Sequence, residues 1–178
     1  MGTPTTRKRL VAAWLLPPLV LAVAAGPLAG AASADRPTTV TSSIAGVPGS
    51  AQVLKFEAAE GVTTLTFREQ TVDVGVFSGT STNTWTCIIR ERKDTFRCTG
   101  EGQFMGTYQG VTGLADTKLW ATCSETESIP PVVTCTGRYH LDGKDALEGL
   151  RGHGTFRSSG VFNVSVRGTS EMRLHDHR

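Results

Sequence analysis

The sequence lacks an excess of charge of either sign. Its 178 residues include 18 basic and 16 acidic side chains, and charged residues make up only 19% of the chain. Three of the basic residues, Arg7, Lys8 and Arg9, lie in a segment that a mature protein would lose, and subtracting 3 from 18 leaves 15 basic against 16 acidic residues. This near-neutral balance argues against binding to nucleic acid or to an anionic membrane through charge alone.

Short catalytic motifs are also missing. No Cys-x-x-Cys pair occurs, no glycine-rich loop ends in Gly-Lys-Ser/Thr, and no serine lies in a nucleophile elbow. Isolated carboxylates fall on or near predicted strands, at Glu57, Glu60, Glu69, Glu101 and Asp116. A paired-carboxylate hydrolase would need two of them on facing strands. The leading expectation is therefore a protein without catalysis, metal or cofactor.

Only one long apolar run is present, and it lies at the start of the chain. Residues 7–9 are Arg-Lys-Arg, residues 10–25 are apolar, and residues 32–34 form the Ala-x-Ala pattern that signal peptidase accepts. This pattern predicts a Sec-type signal peptide over residues 1–34 that is cleaved after Ala34, with a membrane anchor as the alternative. We expect residues 35–178 to be one secreted, soluble domain.

Hydrophobic and polar residues alternate along most of the remaining chain. Val72, Val74 and Val76 follow this period of two, as do residues 115–123 and 162–166. Further candidate strands lie at 51–58, 62–68, 83–91, 94–99, 103–108 and 131–141. Helical periodicity is weak and is limited to a turn at 144–148. The pattern predicts an all-β fold, a single closed antiparallel β-barrel of about eight strands, with a β-sandwich as the alternative.

Four cysteines in an exported chain predict two disulfides. The strand phase places Cys87 opposite Cys98 if Ile89 opposes Phe96. In a second hairpin, Cys123 shares a strand face with Ala121, and Cys135 shares one with Val133 and Tyr139. We therefore predict that Cys87 bonds to Cys98 and that Cys123 bonds to Cys135, so that each bond staples its own hairpin. A free thiol or a metal site is the alternative, but the spacings do not fit a zinc site.

Two glycine-rich segments carry a resemblance to a known group. One is Gly102-Gln103-Phe104-Met105-Gly106-Thr107-Tyr108-Gln109-Gly110-Val111, and the other is Ala146-Leu147-Glu148-Gly149-Leu150-Arg151-Gly152-His153-Gly154-Thr155-Phe156. They resemble stretches of the allene oxide cyclase-like group of barrels, which includes the plant cyclases, dirigent proteins and small bacterial proteins of unknown role. The resemblance implies an eight-stranded antiparallel barrel around a central cavity. It does not assign active-site residues to positions of this chain.

Aromatic and basic side chains are the candidates for ligand contact. The aromatic residues could line a cavity or fill a core, and the basic ones could meet at a barrel mouth or face solvent. The predicted ligand-contact residues are Trp85, Tyr108, Trp120, Arg138, His140 and Arg151.

Three functions are compatible with these patterns. The leading hypothesis is a binding module that holds a small apolar ligand in the barrel, and an empty aromatic-lined cavity would favour it. The second is an isomerase or cyclase, which a buried carboxylate or tyrosine with a shifted pKa in that cavity would favour. The third is an extracellular interaction or inhibitor module that uses an exposed loop such as residues 124–131. A homo-oligomer is compatible with each hypothesis, whereas nucleic acid and, after signal cleavage, membrane are not expected partners.

Overall fold

Residues 37–177 are described by a computed structural model, and they form strands almost throughout. The predicted signal peptide and its cleavage site lie outside the described residues. The strands are β1 (Thr38–Gly46), β2 (Gln52–Ala59), β3 (Val62–Gly75), β4 (Phe77–Arg90), β5 (Thr95–Tyr108), β6 (Val111–Glu125), β7 (Val133–Lys144), β8 (Leu150–Val161) and β9 (Ser165–Asp176). A single 3-10 turn, Asp145–Leu147, connects β7 to β8.

The strands form a closed antiparallel barrel. From β3 to β9 each strand pairs with the next one along the chain, and β1 pairs with β9 on one side and with β3 on the other. Closure therefore uses eight strands, as the alternating pattern predicted. The up-and-down order follows from the short turns, because a tight hairpin can only join antiparallel neighbours.

The ninth strand, β2, lies outside the closed barrel. It pairs with residues 62–68 of β3, while β1 pairs with residues 71–75 of the same strand edge. Within residues 37–177, β2 has no strand on its other side. All eight of its residues are exposed, including Val53, Leu54 and Phe56.

Alternation along the strands divides inner from outer side chains. In β4 the residues Ser81, Asn83, Trp85 and Cys87 are buried, and the intervening threonines are partly exposed. β-Branched residues fit such a half-buried pleated surface, which explains why threonine is the commonest residue after the first 50 residues.

In the alternating segment at residues 72–76, it is the valines that face outward. Val72, Val74 and Val76 are 38%, 60% and 41% exposed. The phase of β3 is set by Leu65 and Phe67, which face the interior, and a period of two then carries positions 69, 71 and 73 inward. The prediction of a strand at 162–166 was wrong for its first three residues. Residues 162–164 form the turn between β8 and β9, and β9 begins at Ser165.

Both predicted disulfides are confirmed. Cys87 bonds to Cys98 across β4 and β5, and Cys123 bonds to Cys135 across β6 and β7. The register also places Trp85 opposite Gly100. A Cβ atom at Gly100 would lie 2.7 Å from Trp85 Cε3, so glycine is needed there for the indole to lie across the strand.

The two ends of the barrel are filled differently. One end is closed by a packed core in which Leu147, Leu150 and Leu174 are at most 1% exposed. The other end carries both disulfides, with Phe67, Trp85 and Ala121. Polar residues lie between these clusters: Ser81 and Asn83 separate Phe77 from Trp85 along β4, and Thr117 separates Ala115 from Leu119 along β6. The barrel interior is thus layered as packed core, polar belt and disulfide-bearing end.

Candidate ligand-binding cavity

The disulfide-bearing end encloses an apolar cavity of about 570 Å³. We call it the apolar cavity. Its walls include the four half-cystines and the side chains of Leu65, Phe67, Trp85, Ile89, Phe96, Ala121, Val133 and Phe156. The only charged side chains among its lining residues within 37–177 are Glu69 and Glu125.

The rim of the apolar cavity is also apolar. Pro130 and Pro131 come from the loop between β6 and β7, and Phe162 and Val164 come from the turn between β8 and β9. The Phe162 ring meets the Phe67 ring edge-on at a centroid distance of 5.0 Å. Phe162 and Val164 remain 39% and 61% exposed, so an apolar molecule would meet hydrophobic surface before it entered.

The two disulfides hold four adjacent wall strands together. Cys98 lies opposite Ala121 and Phe96 lies opposite Cys123, so the ladder between β5 and β6 joins the two stapled hairpins. Cys87, Cys98 and Cys123 are buried in the wall, and Cys135 is partly buried. The wall is therefore covalently fixed on either side of its central ladder.

Below the apolar cavity lies a smaller space of about 120 Å³, which we call the polar chamber. Half of its lining residues are apolar, among them Phe77, Phe104 and Met172. The polar ones, from which we take its name, are Ser42, Glu69, Thr71, Asp73, Ser81, Asn83, Thr117, Tyr139, Ser158 and Ser170. Glu69, Trp85 and Phe156 line both spaces, so the apolar cavity and the polar chamber meet at these side chains.

Two carboxylates face this junction and the chamber below it. Trp85 Nε1 donates a hydrogen bond of 2.8 Å to Glu69 Oε1, and Ser81 Oγ donates one of 2.9 Å to Asp73 Oδ2. Burial raises the pKa of both carboxyls above their ordinary values, and the hydrogen bonds oppose this shift only in part. Each acid therefore holds a proton more readily than a surface carboxyl.

Tyr139 completes the titratable groups of the polar chamber. Burial raises the pKa of its phenol to about 12, with a hydrogen bond to Ser170 opposing the shift and the negative charge of Asp73 adding to it. The phenol is thus neutral at physiological pH.

Two buried polar atoms in the same chamber have no hydrogen-bond partner. They are Asn83 Oδ1 and Thr117 Oγ1, on residues 5% and 9% exposed. Leaving a buried polar atom unsatisfied costs about 1–3 kcal/mol. The polar chamber thus offers unused hydrogen-bonding capacity next to the apolar cavity.

The residues predicted for ligand contact do not converge on one place. Trp85 lines the apolar cavity, whereas Tyr108 lies in the closed-end core, stacked on Phe77 at 4.9 Å between ring centroids. Trp120, Arg138 and His140 form a separate cluster. Their roles in binding stay predictions.

This cluster lies on the outer surface of β6 and β7. Arg138 Cζ is 5.5 Å from the Trp120 ring centroid, and the His140 ring is 5.3 Å from it. Arg151 is also on the outside, with its Nε 3.5 Å from Asp142 Oδ1. Trp120 and Arg138 border a wide, shallow concavity of the outer wall, whose lining also includes six threonines, Arg97, Arg157 and Glu171.

The polar chamber was not predicted from the sequence. Glu69 was one of several isolated carboxylates, and Asp73 and Asn83 were not candidates. The alternation along β3 could have revealed these residues. Leu65 and Phe67 are separated from Glu69 and Asp73 by even numbers of positions, so all four side chains lie on the same face of the strand. An acid on the apolar face of a strand would have pointed to an interior site.

The fold and cavity define a class of protein: a small all-β protein with a closed barrel that is packed at one end and hollow at the other. No family model matches the chain, and no curated protein matches it. A solved structure of a protein of unknown function of the DUF3224 family from Shewanella oneidensis MR-1 is similar, with a TM-score of 0.52 and 16% identity over 80% of this chain and 98% of that one. At this identity the likeness shows the fold alone. The resemblance to the allene oxide cyclase-like group has no support from these comparisons and stays a hypothesis.

Neither a metal centre nor a membrane-spanning helix is found in the part of the chain that the structure describes. Among residues 37–177 no three His, Cys, Asp or Glu side chains are grouped to hold a metal ion. The same residues include no helix long and apolar enough to cross a membrane.

Proposed function

We propose that this protein is a carrier that holds a small apolar ligand in the hollow end of its barrel. The observation that carries the proposal is the apolar cavity of about 570 Å³. Small-molecule sites typically have volumes of about 300–1,000 Å³ and mainly hydrophobic walls with a few polar groups. The apolar cavity and the polar chamber together have this composition.

The stapled wall supports the same proposal. An empty apolar space in a flexible barrel would tend to collapse, because collapse removes hydrophobic surface from water. Disulfides between β4 and β5 and between β6 and β7 oppose that movement. A site kept open before binding avoids part of the ordering cost that association otherwise carries.

Fluorescence of Trp85 can test binding directly. The chain has three tryptophans, at 14, 85 and 120, so W120F leaves Trp85 as the only one in residues 35–178. Titration of W120F with the neutral apolar probe N-phenyl-1-naphthylamine should quench Trp85 as energy passes to the bound probe. The substitution A121F, made in the W120F background, places a phenyl ring in the apolar cavity and should weaken binding at least tenfold.

The matched control is T122F, because Thr122 is the next residue of β6 and faces outward. T122F should bind the probe within twofold of W120F. Equal affinity for A121F and T122F, or no binding by W120F, would remove the basis for a carrier function.

We also propose that the carrier is exported. Two disulfides support this, because such bonds form and persist in oxidising compartments. The amino-terminal sequence of protein recovered from culture medium should begin at Asp35. Recovery of the protein only inside cells with reduced cysteines would contradict export.

One observation favours the enzymatic alternative, an isomerase or cyclase. Glu69 lies at the base of an apolar cavity with a raised pKa, which suits a general acid or base. If the protein is an enzyme, a ligand recovered from it should be converted to an isomer on prolonged incubation, and E69Q should bind it without conversion. Recovery of the ligand unchanged from both proteins would leave the carrier function.

A further inference from the structure

The charged side chains that line the barrel interior are all acidic. Glu69 and Glu125 line the apolar cavity, and Glu69 and Asp73 line the polar chamber. No Lys, Arg or His among residues 37–177 lines either space. An anionic head group would therefore lose its hydration without meeting a cationic partner, which is unfavourable in a poorly solvated site.

The polar chamber holds hydrogen-bond acceptors with unused capacity, and the unpartnered Thr117 hydroxyl can either donate or accept. A carboxylate offers about four lone-pair sites, whereas Glu69 and Asp73 each accept one side-chain hydrogen bond, from Trp85 and Ser81. Asn83 Oδ1 adds an acceptor that is buried and has no partner. The chamber thus matches a ligand group that donates several hydrogen bonds.

An ammonium group has both required properties, since it carries a positive charge and donates up to three hydrogen bonds. This inference rests on the carrier function proposed above: we infer that the ligand is an apolar amine, with its ammonium at Glu69 and its hydrocarbon body in the apolar cavity. Asp73, four residues further along β3, adds negative charge deeper in the polar chamber. Glu69 lies where the two spaces meet, so one molecule can occupy both. A charge-assisted hydrogen bond to a carboxylate is roughly twice as strong as a neutral one.

Three probes of equal chain length test this inference. Octylamine, octanol and octanoate differ only in their head groups, and each would compete with N-phenyl-1-naphthylamine for W120F at pH 7.5. We expect octylamine to displace the probe at a concentration at least tenfold lower than octanol, and octanoate to be the weakest.

The variants E69Q and D73N test whether these two carboxylates cause the preference for octylamine over octanol. If one variant fails to fold, the other still tests the inference. In E69Q the carbonyl of the substituted amide side chain can still accept from Trp85, so the wall is preserved while the charge is lost. The advantage of octylamine over octanol should fall to within about twofold. The control is E101Q, since Glu101 is exposed on the outside of β5, and it should keep the full preference.

The outcomes separate this inference from the carrier function. Equal competition by all three probes, or a preference for octanoate, overturns the amine inference and leaves an apolar carrier. A preference for octylamine that survives both E69Q and D73N also overturns it, because the head group would then lie elsewhere. Failure of every probe to bind W120F overturns both proposals.

Discussion

The difference between the packed and the hollow end of the barrel predicts unequal costs for the same substitution. Leu174 lies on β9 in the closed-end core and is 1% exposed, whereas Leu65 lies on β3, is partly buried and faces the apolar cavity. Leu174→Ala and Leu65→Ala remove the same atoms from two strand positions. Only the first creates a new void.

The expected magnitudes follow from this difference. A buried leucine-to-alanine change costs about 2.7–5.0 kcal/mol, because the lost transfer free energy is added to the cost of the new cavity. We expect about 3–4 kcal/mol for Leu174→Ala. At Leu65 the side chain already borders empty space, so little cavity cost remains and we expect about 1 kcal/mol.

Urea denaturation followed by far-UV circular dichroism, with the disulfides kept oxidised, measures both free energies of unfolding. Equal slopes in urea for the two variants would show that the native and unfolded states are otherwise comparable. Losses that agree within about 0.5 kcal/mol would refute the hollow end, because they would mean that the walls around Leu65 close and pack in solution.

Two further predictions concern the covalent wall and the buried acids. Replacing both Cys87 and Cys98 by serine removes a bond that closes a loop with a sequence separation of 11. This should lower the free energy of unfolding, measured by urea denaturation, by about 2.8 kcal/mol. A loss below about 1 kcal/mol would contradict the loop-entropy reasoning. Because burial raises the pKa of Glu69 and Asp73 in the folded state above their ordinary values of 4.5 and 3.8, the folded protein binds more protons than the unfolded chain, and its stability should fall as the pH rises through the raised pKa values. Urea denaturation from pH 4 to pH 8 should give a shallower decline for E69Q than for the unsubstituted protein, and superimposable profiles would show that Glu69 is not desolvated.

Much of the fold could be predicted because its determinants are local. The period of two indicated strands. The ten residues between Cys87 and Cys98 are an even number, which allows the two cysteines to lie directly opposite each other, and this is the observed register. The sequence could not show that β2 leaves the barrel, because that depends on β1 and β2 sharing one edge of β3. Such sharing is a long-range arrangement with no pattern of its own.

The site was less predictable for a different reason. Whether a barrel is hollow depends on how side-chain volume is distributed along its axis, and composition gives only the total. Arg138 and His140 share a strand face, and only closure of the barrel shows that this face is the outer one. Their role in binding stays a prediction. Trp85 differs because its phase, shared with Cys87, fixes it on the inside.

The pairing of β1 with β9 brings Thr38 opposite Leu174, so the first and last strands of the described residues must meet before the barrel closes. Folding rates fall as contacts become more distant in sequence, and such a ladder cannot form until the final strand has left the ribosome. A chain still being synthesised would therefore have exposed strands and no finished barrel. In the export that we propose, this late closure would be an advantage, because the chain would stay unfolded until its last strand had crossed the membrane and its cysteines had reached an oxidising environment.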